Sequence, residues 1–366
     1  MKSLIYCLPA VFDDPQMMAM PGIARYKKAA SIFGYWVMPV DRTHTITSPF
    51  HTTELYPLPE YRVFTKTYEE ICNDRAREIL TRATKLGVRI YALYSGGIDS
   101  TLLLVSLLKQ ATPGEKKNIT VLLSHESIAE NPRFFEEHIR GKLQVESSVV
   151  FANRIGGSDI LLSAEHNDLV MGNATLGGFI TTYTEKAIHE PYRPERMIEF
   201  FTKVLKGDTA SARFYFELFD GLAERAPMPI VSNFDYLWWY NFTQKWQACF
   251  CYMLFFTSSQ NAPAVTRDYL ATRFISFYNT DEFQLWAMNS LDKRIRDTWK
   301  SYKWVLKDII YDYTKDAEYR DHKTKVRSLP VVLKQQSIAH RYIDASAHFH
   351  SEFPSADFFV AKNDFV

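Results

Sequence analysis

Six consecutive residues, Ser95-Gly96-Gly97-Ile98-Asp99-Ser100, raise the first chemical question in this chain. Two glycines let the backbone take positive φ and approach an anion with no Cβ in the way. A helix beginning near Ser100 would aim unpaired N–H groups and a partial positive charge at the same point. Ser95 and Ser100 add hydroxyl donors, so the stretch reads as a cradle for phosphates. Asp99 is the odd member: a carboxylate beside phosphates repels them unless a cation lies between, and its oxygens suit Mg²⁺. The pattern is distinct from the Gly-x-x-x-x-Gly-Lys-Ser/Thr loop.

A second constellation lies in "DILLSAEHNDLVMGN", residues 159–173, where Glu165 and Asp168 stand three apart. On a helical turn the two carboxylates would share a face. One could hold Mg²⁺ while the other handles a proton, provided their environments differ.

These residues need a frame. Thr67 with Glu70 forms a capping-box pattern, Gly87 is a stop signal, and the apolar spacing between them predicts a helix. "VRIYALY" then reads as a strand running into the glycine turn, and "STLLLVSLLKQ" as the helix leaving it. "ITVLLS" (119–124), "SSVVFA" and "DILLSA" read as second, third and fourth buried strands, with Asn131-Pro132 opening a helix at "RFFEEHIRGK". Strand and helix alternate from 67 to about 180, which predicts an α/β fold with a parallel sheet flanked by helices. Residues 181–345 carry helical periodicities and are expected to pack as a mainly helical C-terminal half. Within them "FDYLWWYNFTQKWQACFCYMLFF", 234–256, reads as a buried helix with Gln244 and Lys245 on its wet side. Three regions are expected: 1–66 of short strands and loops, 67–345 as the nucleotide-handling domain, and 346–366 as an irregular tail.

"SGGIDS" resembles the pyrophosphatase loop of the N-type ATP pyrophosphatases, enzymes that split ATP between its α- and β-phosphates. The resemblance implies an adenine nucleotide alpha hydrolase-like (HUP-type) sheet, with Ser95, Gly96, Gly97, Asp99 and Ser100 holding ATP phosphates and Mg²⁺. "DILLSAEHNDLVMGN" is similar to the segment of the asparagine-synthetase branch that carries Ser/Thr-Gly-Glu-Gly-x-Asp-Glu. There Glu165 falls on the catalytic glutamate and Asp168 on the metal-associated aspartate, while Ala164, His166 and Leu169 depart from the pattern. "FYNTDEFQLWAM" (277–288) resembles the family's Pro-Phe-Leu-Asp-x-x-Phe stretch. "YRDHKTKVRSLP" (319–330) resembles its late basic loop, with Lys323 on the Arg and Lys325 on the lysine that balances charge on the departing pyrophosphate. Ser124, after the second strand, is the implied adenine contact, with His125 beside it.

The implied activity is an ATP-dependent carbon–nitrogen (amide) ligase that adenylates a small-molecule carboxylate and transfers it to ammonia or an amine. Fewer than 100 residues precede the loop, so the glutaminase domain usual in that branch is not expected there, and the nitrogen donor is expected to be free ammonia, an amine on a second substrate, or ammonia from a separate ammonia-supplying protein. Two rivals remain: an adenylating enzyme that modifies a tRNA or DNA base, and a non-catalytic nucleotide-binding descendant.

Composition narrows the classes. The chain has 366 residues, with 43 basic and 42 acidic side chains giving a net charge of +1, so no global charge favours nucleic acid or a membrane surface. Four cysteines, Cys7, Cys72, Cys249 and Cys251, form no C-x-x-C pair and no disulfide framework. Cys249 and Cys251 read as buried small apolar residues. No apolar run is long enough to span a bilayer, and a cytoplasmic protein is expected.

Overall fold

The computed structural model describes residues 15–19, 22–32, 42–45, 50–52, 56–172, 174–254, 264, 266–296, 299–324, 326 and 359–361. Its centre is a five-stranded parallel sheet: β1 Ile90–Leu93, β2 Ile119–Leu123, β3 Gln144–Ser147, β4 Ile160–Ser163 and β5 Phe274–Ser276, in the spatial order β3-β2-β1-β4-β5. Ile90 pairs with Ile119 on one side and Ile160 on the other, and Leu161 pairs with Phe274.

Side-chain alternation shows why the strands are apolar throughout. Ile90, Ala92, Ile119, Val121, Ile160 and Leu162 join one apolar cluster, while Tyr91, Leu122 and Leu161 join a second. Successive residues of a strand point to opposite faces, so both faces of this sheet are covered.

The first face carries α1 (Tyr68–Leu86) and α2 (Ile98–Gln110). The α1 boundaries follow local chemistry. Thr67 and Glu70 close a reciprocal capping box, and Gly87 ends the helix at φ +66°. After β2 come α3 (His125–Glu130) and then Pro132–Phe134, capped by Asn131, which widens into a π turn at Phe135–Ile139. α4 (Asn167–Met171) follows β4, and α5 (Asn233–Leu254) lies among the helices beyond it. α6 (Asp281–Asn289), α7 (Trp304–Thr314) and α8 (Ala317–His322) follow β5. Among the described residues, no helix is long and apolar enough to cross a membrane.

Several expectations need correction. "SSVVFA" is not the third strand. Ser147 accepts a hydrogen bond from the Val149 amide and turns the chain into a 3-10 turn and a short helix, Phe151–Arg154, so the strand is the preceding Gln144–Ser147. β5 comes from within the half expected to be helical. Its three residues, Phe-Ile-Ser, are too few to show a period. The region 1–66 contains a ten-residue helix, Ile23–Ile32, as well as the strand Phe50–Thr52. That strand pairs antiparallel with Phe359–Ala361, in the tail expected to be irregular. The aromatic side chains of this helix from Phe234 to Trp246 are buried as expected, yet Gln244 is not on a wet side: it is 2% exposed and donates to the Tyr215 hydroxyl at 3.2 Å. Cys72 is buried, Cys249 is only partly so rather than buried as expected, and the side chain of Cys251 lies outside those described.

Candidate functional site

In this strand order the direction of succession reverses between β1 and β4, and in open parallel sheets the carboxyl ends of the strands flanking such a point are where ligands bind. β1 delivers the glycine turn to that edge. Gly96 sits at φ +75°, and a Cβ there would collide with the Ser127 carbonyl oxygen and lie 2.8 Å from the Glu130 Cβ. Only glycine fits, because α3 passes directly behind the turn. Gly97 caps α2 with extended backbone and no side-chain bond, so the first-turn amides of a 13-residue helix face the turn.

The turn is braced from within. The Ser95 amide donates to Ser100 Oγ at 3.1 Å, the two serine hydroxyls are 3.0 Å apart, and the Gly97 amide donates to Ser95 Oγ at 3.2 Å. Two tyrosines from the C-terminal half brace it from outside. Tyr278 donates to the Asp99 carbonyl at 2.7 Å, and Tyr319 to the Gly96 carbonyl at 2.9 Å. Both sit in stretches whose motifs were legible, but neither tyrosine carried a signal of its own.

β4 delivers the acidic segment. Glu165 is half-buried in the turn before α4, and Asp168 lies in the first turn of α4 with its side chain 53% exposed. Asn167, between them, donates its amide to Asp99 Oδ1 at 2.6 Å and accepts from the buried Tyr68 hydroxyl. The two chemical segments, 68 positions apart in sequence at this contact, therefore meet through a direct hydrogen bond. His166 anchors the segment from below. Its ring contacts Ser276 Oγ at 2.8 Å and the Trp246 carbonyl at 2.9 Å, and burial pushes its pKa down to about 3. Since the carbonyl can only accept, Nε2 carries the proton and Nδ1 accepts from the serine.

The residue that sequence reading missed is Lys303. It stands at the N-terminus of α7 in the left-handed region, φ +61°, with its amide donating to the Arg294 carbonyl at 3.0 Å. Its ammonium lies 2.7 and 2.6 Å from the two oxygens of Asp99 and 2.6 Å from Asp168 Oδ1. Burial opposes its charge, but Asp168 and Asp99 outweigh that effect and hold its pKa above the usual lysine range. For Asp99 burial dominates and raises the carboxyl, against the pull of Lys303. A lysine in "WKSYKWVLK" has no motif around it, and only the fold brings it 204 positions back to Asp99.

The remaining expected residues are placed less centrally. Lys323 reaches Glu130 Oε1 at 2.6 Å in a pair whose side chains are 9% and 3% exposed, and the Val326 amide donates to the other Glu130 oxygen. Glu130 also backs Gly97, so Lys323 is joined to the turn through one intermediary. Lys325 lies outside the described residues. Ser124 caps α3, accepting from the Ser127 amide at 3.3 Å, and so has a structural occupation at the end of β2.

The turn offers the uncapped first-turn amides of α2, donors of the kind a phosphate uses. The acidic pair, as it stands, does not fit Mg²⁺. The point between Asp99 and Asp168 is filled by an ammonium, and among the described residues no group of three or more His, Cys, Asp or Glu is placed to hold a metal. Comparison of the chain with protein-family models, with curated proteins and with solved structures finds no match in any of the three.

Proposed function

We propose that the chain is an ATP-dependent amide ligase that forms AMP and pyrophosphate. The observation that carries this reading is the meeting of the Ser95–Ser100 turn and the Glu165–Asp168 segment at the reversal point of a parallel sheet, joined by Asn167 and Lys303. A phosphate-binding turn alone would serve a nucleotide binder. A turn flanked by carboxylates of different exposure, with a buried ammonium between two of them, suits a reaction in which charge moves.

In this reading the Ser95 and Ser100 hydroxyls and the α2 amides hold the β- and γ-phosphates of ATP. An oxygen of the carboxylate substrate attacks the α-phosphorus, the bond to the bridging oxygen breaks, and pyrophosphate leaves as an acyl-adenylate forms. The nitrogen nucleophile then attacks the acyl carbon, loses a proton, and AMP departs. Glu165, at the mouth of β4, accepts that proton or orients the intermediate. Lys303 offsets negative charge beside the phosphates, and Lys323 with Lys325 does so from the late loop.

The test is product analysis with ATP labelled at the α-phosphate, a panel of amino-acid and other small carboxylates, and ammonia or amines. AMP and pyrophosphate formed with one acid support the reading and identify that acid. ADP and phosphate would overturn it. Turnover that requires RNA or DNA in place of the acid would favour the base-modifying rival, and tight ATP binding without cleavage under every condition the non-catalytic one.

A further inference from the structure

Lys303 is held where a dication would be expected, and its surroundings suit an ammonium better than a metal ion. Mg²⁺ asks for near-octahedral oxygen ligands at about 2.0–2.1 Å. Here both Asp99 oxygens already face Lys303, and the next group around Asp99 is a donor rather than an acceptor. Tyr68 donates to Asn167 Oδ1, which fixes the amide so that its NH₂ points at Asp99. A metal ion at this point would have to compete with those amide protons for Asp99 Oδ1. The lysine is also pinned: it is 5% exposed, its left-handed backbone is fastened to the Arg294 carbonyl, and its own carbonyl starts α7 by accepting from the Lys307 amide at 3.1 Å. A non-glycine residue in that region costs about 1–2 kcal/mol, a strain that persists only where the surrounding structure over-determines it.

We propose that the Lys303 ammonium is the resident cation of this site, standing permanently between Asp99 and Asp168 so that the protein holds no divalent metal there. The claim concerns the site used in the proposed function but does not need a nucleotide to be tested. With the ammonium in place the formal charge of the three groups is −1 rather than −2, so half of the acidic pair's charge stays compensated whether or not divalent ions are present.

The experiment is a titration of the full chain with Mn²⁺, followed by electron paramagnetic resonance and by calorimetry. The wild type is expected to show no saturable site up to about 1 mM, the weak end of protein oxygen sites. Lys303→Met, which takes the ammonium away from both carboxylates, is expected to gain one site, and adding Asp99→Asn to remove it. A wild-type site of one Mn²⁺ per chain that Asp99→Asn abolishes would overturn the proposal, and this result needs no lysine variant to fold. Inorganic pyrophosphate, titrated in EDTA and in Mg²⁺, separates the two claims. Binding in both buffers within about 3-fold, under 1 kcal/mol, supports a metal-free site, whereas binding only with Mg²⁺ contradicts it. No binding in either buffer would refute the nucleotide reading and leave the Mn²⁺ titration to decide this one.

Discussion

Replacing Gly96 by alanine tests the geometry of the turn with an internal control. Gly96 and Gly87 both have positive φ, +75° and +66°, but their surroundings differ. A Cβ on Gly87 meets nothing within 4 Å, so Gly87→Ala should cost only the left-handed backbone term, about 1–2 kcal/mol. A Cβ on Gly96 runs into the backbone carbonyl of Ser127 and the Cβ of Glu130, neither of which is the flexible end of a side chain. The overpacking term of about 1–3 kcal/mol therefore adds to the backbone term, giving about 2–5 kcal/mol in all. Urea unfolding of the two variants, followed by circular dichroism, reads the difference. The Gly96 variant should unfold at clearly lower urea, and α3, which is pushed from behind, should lose amide-exchange protection first. Equal midpoints for the two variants would refute the claim that α3 presses on the turn.

Three further outcomes are expected. Lys303→Met should destabilise the fold by about 3 kcal/mol, the lower end for a broken buried pair, because Asp99 is 23% exposed and Asp168 is half in water; chemical denaturation checks this, and a loss below 1 kcal/mol would contradict it. Lys323→Met should likewise cost about 3–5 kcal/mol by stranding Glu130, while Lys323→Met with Glu130→Leu should recover most of the loss in the same denaturation assay. His166, its pKa pushed down to about 3, makes the unfolded chain bind more protons than the folded one between that value and about 6.5, so stability should rise with pH across this window. His166→Asn should flatten that slope in unfolding measured at successive pH values, and an unchanged slope would show that His166 is not its source.

The parts of this structure that were legible in the sequence are those written by local chemistry. The capping box at Thr67 and Glu70, the stop at Gly87 and the buried runs of β1, β2 and β4 each need only neighbouring residues to specify them. The third strand was misplaced because a serine-capped turn and a β-branched strand share the same residue types, and Ser147-Ser148 decided between them through a single hydrogen bond. β5 was missed because it is three residues long and owes its place to pairing with Leu161–Ser163 rather than to any pattern of its own. At the site, the turn and the acidic segment announced themselves by composition. Lys303, Asn167, Tyr278 and Tyr319 did not, since each is an ordinary residue until the sheet brings it to Asp99 or Gly96. His166 illustrates the same limit from the other side. It looked like a departure from a glycine-containing motif, and in the fold it is the bolt between α4, β5 and the aromatic helix.

The central claim is that this site activates a carboxylate by adenylation, and isotope exchange between pyrophosphate and ATP measures that step alone. With labelled pyrophosphate, unlabelled ATP and the correct acid, but no nitrogen donor, label should pass into ATP in the wild type and fail to do so in Asp99→Ala. Exchange of that kind would mean that ATP is cleaved reversibly between its α- and β-phosphates at the Ser95–Ser100 turn. Wild-type protein that binds ATP yet shows no exchange with any acid, or exchange that Asp99→Ala leaves intact, would contradict the account.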